Sequence, residues 1–324
     1  MKAAVYDRYG RAADVLRVVQ GERPEPGPGE VRVKLHVSAV NPTDYKSRGG
    51  ATPRPIDGFQ IPHHDGAGVI DAVGPGVDQG RIGQRVWVWL AAAGRRWGTA
   101  AEWTVLPERQ AVPLPDGISF ELGASLGVPA VTAHRCLFAD GPLAGQTVLV
   151  AGGAGAVGHF AIELAVWAGA AQVIATASGP AKADLASRAG AGHVVIYTEP
   201  DAASQILAVA GPVDRVVELA LGANLGLDLA VSRPDTIIAT YAAEPHDPAL
   251  PVRACMTANV VLRFMLLYAV PEPAIDRAVA DVTAALSAGA LTELPTHRFA
   301  LNDIAAAHQA AEDGAVGKVL VLPD

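Results

Sequence analysis

Cysteine is nearly absent from this 324-residue chain: Cys136 and Cys255 are the only two, far apart and without a CxxC neighbour. They cannot build a zinc ribbon and give no sign of a disulfide framework, so a reducing cytoplasm is the expected location. Charge is scarce too, at 18% of residues with a formal net charge of −8. No Lys/Arg run could form the basic face of a nucleic-acid binder, and the overall charge repels polyanions and anionic membrane surfaces alike. Long apolar runs are missing, since stretches such as Phe264 to Val270 fall well short of a membrane span. Asp7 arrives too early for a secretory h-region. What remains is the composition of a soluble globular protein, half hydrophobic and long enough for two domains.

Composition changes near residue 122. Before it, short β-rich runs alternate with Pro/Gly turns, as in Glu30 to Val37, Gly66 to Gly74 and Arg85 to Leu90. Their period-two alternation predicts a compact antiparallel β domain. After it, apolar runs at 147–151, 172–176, 193–197, 214–219, 236–240 and 259–264 alternate with helical segments such as 156–168 and 274–288. Six such runs predict a doubly wound parallel sheet, an α/β fold. Beyond about residue 290 that rhythm stops, and a short helix near 302–313 and a strand at 318–322 are expected to return to the first domain.

The strongest motif is Gly153-Ala154-Gly155-Ala156-Val157-Gly158, which follows the first apolar run of the second region and opens a helix. Glycines allow a tight turn and close approach of backbone to a pyrophosphate, while the helix start offers free N–H groups and a positive dipole. In strand–loop–helix context this predicts dinucleotide binding. A site preferring NAD places an acid at the end of the next strand. Here the strand runs out as Thr176-Ala177-Ser178-Gly179. With no carboxylate to repel a 2′-phosphate, and with Lys182 and the Ser178 hydroxyl close behind as donors, NADPH is the expected cofactor. The alternative for Lys182 is a solvated helix residue.

The whole chain resembles the medium-chain dehydrogenase/reductase superfamily, in the zinc-free quinone reductase branch typified by zeta-crystallin. The glycine motif carries part of the resemblance. The rest lies in Ser38 to Arg48, Pro62-His63-His64-Asp65-Gly66-Ala67-Gly68, Val131-Thr132-Ala133-His134-Arg135 and the ending Gly317 to Pro323. The resemblance implies a GroES-like catalytic domain from residues 1–122 and 290–324, a Rossmann NADPH-binding domain from 123–289, and an active site in the cleft between them. It also implies that Tyr197 and Lys318 join Lys182 near the adenosine 2′-phosphate, and that Thr132 bonds the nicotinamide carboxamide. A homodimer or tetramer is expected, through the last sheet strand near Val260 to Leu267.

Zinc enzymes of the same superfamily place a Cys, a His and another Cys around the metal. At the matching positions this chain has Asn41, His64 and the Val128–Pro129 pair. One imidazole and a carboxylate are too few for a catalytic zinc, so no metal is expected. Without a Lewis acid, the developing oxyanion needs hydrogen bonds and a proton donor. Tyr45 is the expected donor, although relatives carry this tyrosine one residue later and a packed loop aromatic is the alternative. Asn41 is expected to bond the substrate oxygen or a cofactor ribose, and Asp44 to brace the loop through Arg48. The expected reaction is NADPH-dependent reduction of quinones or other conjugated carbonyls (enones). The rivals are an enoyl thioester reductase and an NADPH-binding sensor or crystallin-like protein without catalysis.

Overall fold

The computed structural model describes residues 1–51, 53–244 and 246–323; Asp324, the last residue of the expected tail, lies outside the described residues. The chain divides into two units, one formed by Met1–Val128 together with the tail from Glu293, the other by Pro129–Thr292.

In the second unit every apolar run of the sequence becomes a strand. We number them β1 (Thr147–Val150), β2 (Gln172–Ala177), β3 (His193–Ile196), β4 (Val213–Glu218), β5 (Ser232–Thr240) and β6 (Val261–Phe264). All neighbours are parallel and the order across the sheet is β3-β2-β1-β4-β5-β6. The order reverses direction at β1, and in such sheets ligands bind beyond the carboxyl ends of the strands at that point. The strands are apolar because helices cover both faces. Leu149, Ile174, Val216 and Ile238 pack with Ile206, Leu221 and Leu225 in one buried cluster. Each such side chain contributes about 1.5–3 kcal/mol of burial free energy. The edge strand β6 differs, leaving Val261 43% and Phe264 67% exposed.

In the first unit an antiparallel sheet is organised around one long strand, Glu30–Val40. Asp65–Val73 runs along one side of it. The other side is shared, Trp103–Pro107 pairing with residues 30–34 and the tail strand Lys318–Leu322 with residues 38–40. That tail strand also pairs in parallel with Thr296–Ala300. A separate hairpin joins Lys2–Val5 to Arg17–Gln20.

The division between the units falls inside a single continuous helix, Phe120–Phe138. The composition change near residue 122 therefore marks where this helix begins, not where one unit ends.

Candidate functional site

The glycine motif forms the turn between β1 and the helix Ala156–Trp167. Gly153 N–H donates to Thr176 O at 3.0 Å and Gly152 N–H to Thr176 Oγ1 at 3.2 Å, which ties the turn to β2. Ala154 is buried, Gly155 is the extended N-cap, and Ala156, Val157 and Gly158 form the first helical turn. Their N–H groups have no intrahelical acceptor and face outward from the helix start. Gly158 is sterically obligatory: a Cβ there would stand 2.3 Å from Gly152 O and 2.9 Å from Gly153 Cα. The turn is therefore a cradle of backbone donors at the carboxyl end of β1, which fits the pyrophosphate of a dinucleotide.

At the end of β2, Ala177 is buried and Ser178 half-buried, and no carboxylate intervenes before the helix Pro180–Arg188. Lys182 is the third residue of that helix and exposed, so its ammonium is free to reach an anion at the helix start. Tyr197 follows β3, and its N–H donates to Ala177 O at 3.1 Å while its side chain is 47% exposed. The fold thus gathers Ser178, Lys182 and Tyr197 at one edge of the sheet. Thr132 lies buried on the long helix, in the same unit.

The first unit holds a buried polar cluster that the sequence did not announce. Lys318 Nζ donates to Asn41 Oδ1 at 2.5 Å, and Asn41 Nδ2 donates to Asp65 Oδ2 at 2.7 Å. Val128 N–H adds a second donor to that carboxylate at 2.8 Å. Gly127 is where Asp65 rests, since a Cβ there would lie 2.1 Å from Asp65 Oδ1. Asp44 caps the helix Pro42–Arg48 by accepting from Asn41 N–H at 2.7 Å, and also accepts from the His64 backbone. His63 adopts φ 77°, a left-handed conformation unfavourable for a side-chain-bearing residue. Two hydrogen bonds hold it there, from Nδ1 to Ser38 Oγ at 2.7 Å and from Nε2 to His308 Nε2 at 2.9 Å.

Burial sets the protonation of this cluster. It pushes the Asp44 carboxyl up to about 8 and Asp65 to about 6, with Asp65 adding to the Asp44 shift and Lys318 restraining both. It pushes Lys318 down, and takes His64 to about 4 and His308 to about 3. Native Asp44 keeps a proton that the unfolded chain releases between about pH 4 and 8, so its contribution makes stability fall as pH rises through that window. The neutral histidines act oppositely, because below about pH 6.5 the unfolded chain takes up protons that the native state refuses. Lys318, depressed, opposes Asp44 only from the alkaline side. Stability is expected to peak near the histidine crossover and decline towards about pH 8. Asp44→Asn should flatten that decline in a series of thermal melts; an unaltered slope would mean that Asp44 is ionised throughout.

Three expectations need correction. Lys318 is not the exposed phosphate ligand the resemblance implied: it is 2% exposed inside the first unit and committed to Asn41 beside two carboxylates. Asn41 is 2% exposed with its amide engaged at both ends, so it is withdrawn from the substrate and ribose roles. Arg48 does not serve Asp44. Its guanidinium pairs with Glu312 and donates to Gly10 O at 2.7 Å. Tyr45 is half-buried on the helix Pro42–Arg48, and burial pushes its phenol up. It therefore keeps its proton at neutral pH and offers an O–H donor.

A family model described as the alcohol dehydrogenase GroES-like domain matches residues 27–116, and one described as zinc-binding dehydrogenase matches residues 156–283. Quinone oxidoreductase of Rattus norvegicus is 33% identical over 209 residues, 64% of this chain and 62% of the rat protein. The matched stretch thus spans less than two thirds of that relative's length. Alcohol dehydrogenase of Geobacillus stearothermophilus is 31% identical over 68% of this chain and 71% of its own. A mycobacterial protein solved in complex with NADPH is 30% identical and matches over the whole of both chains with a TM-score of 0.86.

The second family description raises the question of a metal. The side chains do not fit one. Asn41 offers a carbonyl already bonded to an ammonium, Val128 contributes only its N–H, and Lys318 sits where a divalent cation would be repelled. Among the described residues no group of three His, Cys, Asp or Glu side chains is placed to hold a metal ion. A GroES-like sheet completed by its own tail, a parallel sheet in the order β3-β2-β1-β4-β5-β6 and these matches together establish that the chain belongs to the medium-chain dehydrogenase/reductase superfamily, in its quinone oxidoreductase branch.

Proposed function

We propose that this protein uses NADPH to reduce quinones or other conjugated carbonyl acceptors by hydride transfer, without a metal. The observation that carries the reading is the acid-free end of β2 with exposed Lys182 in the first turn of the next helix. When bound, the reduced nicotinamide supplies the hydride. The chain's own residues do the rest. Backbone N–H groups of 156–158 hold the pyrophosphate, and Ser178 and Lys182, with Tyr197 alongside, receive the 2′-phosphate. One charge-assisted hydrogen bond is worth about 1.5–3 kcal/mol, roughly ten- to a hundredfold in affinity. Lys182→Ala should therefore weaken NADPH binding by roughly that factor and leave NADH unchanged. Equal losses for both nucleotides would refute the phosphate assignment.

Metal-free chemistry suits conjugated acceptors, whose charge spreads as the hydride arrives. Tyr45 is proposed as the O–H donor to the acceptor oxygen, its raised pKa keeping the proton in place. Tyr45→Phe should lower kcat by about tenfold or more while NADPH affinity stays within about twofold; unchanged kcat removes Tyr45 from the reaction. The acceptor is tested by NADPH oxidation across quinones, enones, enoyl thioesters and simple aldehydes. Turnover restricted to enoyl thioesters, or dependent on added zinc, would overturn the assignment.

We also propose a homo-oligomer in a reducing compartment such as the cytoplasm. The exposed edge of β6, with Phe264 and Leu266 67% and 61% accessible, supports the first part, and the two free thiols support the second. A monomer by sedimentation at micromolar concentration would remove the oligomer. No helix among the described residues is long and apolar enough to cross a membrane.

A further inference from the structure

The motif Val131 to Arg135 contains two residues, His134 and Arg135, that the nucleotide cradle does not use. With Phe138, Gly141, Arg277 and Asp281 they line a cavity of about 270 Å³ within the second unit. The cavity lies where the helix Phe120–Phe138 ends and the chain approaches the start of β1. That is the amino-terminal side of the parallel sheet, whereas the glycine cradle lies at the carboxyl ends of the strands.

Its charges are unbalanced. Arg135 and Arg277 make no ion pair or hydrogen bond with any described residue, and Arg135 Nε is buried without a partner. Burial depresses the Arg135 guanidinium, with repulsion from Arg277 and Arg263 adding to it. The nearby carboxylates are already taken. Asp281 Oδ2 meets His134 Nε2 at 2.7 Å, while Asp140 accepts from Arg263 Nε at 2.5 Å and lies 3.9 Å from Arg215. Arg135, Arg215 and Arg263 thus share Asp140, and Arg277 lines the cavity with Asp281, in a chain whose net charge is −8.

His134 adds selectivity. It is 2% exposed, and burial pushes it towards the neutral form. With Nε2 donating to Asp281, its other nitrogen, Nδ1, is a bare acceptor, and Nδ1 is buried without a partner. Two unpaired guanidiniums call for a dianion; an unpaired acceptor beside them calls for one that still carries an O–H. We propose that this cavity binds monohydrogen phosphate, its oxygens held by Arg135 and Arg277 and its hydroxyl donated to His134 Nδ1. Sulfate, with the same shape and charge but no proton, leaves Nδ1 unsatisfied.

Titration calorimetry on the full chain at matched ionic strength tests this with inorganic phosphate, sulfate and glycerol phosphate. Phosphate should bind at least tenfold more tightly than either of the others at pH 7. Arg277→Ala, at an exposed position, should weaken phosphate about tenfold or more, and His134→Phe should abolish its advantage over sulfate. Lys182→Ala should bind phosphate as the parent does. No phosphate binding at millimolar concentration, or undiminished binding by Arg277→Ala, overturns the site. Loss of binding in Lys182→Ala overturns it as well by placing the ion at the nucleotide cradle, and equal affinity for sulfate overturns the hydrogen-phosphate assignment.

Discussion

Lys318→Met is expected to lower the unfolding free energy by up to about 3–5 kcal/mol, the range seen when the compensating charge of a buried ionic group is removed. The substitution keeps most of the side-chain volume and deletes the ammonium. Asn41 Oδ1 then loses its donor, and Asp65, buried beneath Asn41 and Val128, loses the cation that restrains its upward shift. Asp65 would respond by taking up a proton, so the loss should be larger at pH 8 than at pH 5.5. Urea unfolding at the two pH values measures both. The double variant Lys318→Met/Asp65→Asn removes both charges and should recover much of the deficit, because an apolar or neutral replacement of a whole buried pair is often tolerated. A single-variant loss below about 1 kcal/mol would mean that Lys318 is uncharged in the native protein and that the cluster is held by neutral hydrogen bonds.

Gly158→Val should reduce NADPH affinity by about a hundredfold or more, equivalent to about 2.7 kcal/mol. The side chain would be driven into Gly152 O and Gly153 Cα, both of them backbone, so no rotamer change relieves the contact. The helix Ala156–Trp167 must then retreat from β1, taking with it the N–H groups aimed at the pyrophosphate. Overpacking of this kind also costs about 1–3 kcal/mol of stability, so circular dichroism should first establish that the variant is folded. Fluorescence titration then reads the affinity. A folded variant that binds NADPH within about threefold of the parent would show that this turn does not carry the nucleotide.

The nucleotide-binding unit was largely legible because its physics is local. Each parallel strand is apolar on both faces and each βα turn is short, so six runs of Val, Ile, Leu and Ala announced β1 to β6. The glycine motif likewise acts within a few residues of itself. The polar cluster was illegible for the opposite reason. Lys318 and Asn41 are 277 positions apart, and only the pairing of Lys318–Leu322 with residues 38–40 brings them together. Nothing near Lys318 distinguishes a buried ammonium from an exposed one at the mouth of a strand. Arg48 was assigned to its neighbour Asp44, yet its partner, Glu312, comes from the far end of the chain. The one signal for Asp65 was its place in the stretch Pro62-His63-His64-Asp65-Gly66-Ala67-Gly68, which carries part of the family resemblance. The unit boundary was hidden because a helix of uniform composition runs through it.

The tail strand has a consequence for how the protein is made. Residues 129–292 form a contiguous unit and can collapse while the ribosome is still at work, whereas the sheet of the first unit lacks an inner member until Lys318–Leu322 emerges. Throughout translation the 38–40 segment of the long strand has an unpaired edge, and Asp65 waits as an uncompensated carboxylate. The long strand of the first unit is therefore completed by a segment synthesised well after it, and its vulnerability to aggregation lasts until Lys318–Leu322 has emerged.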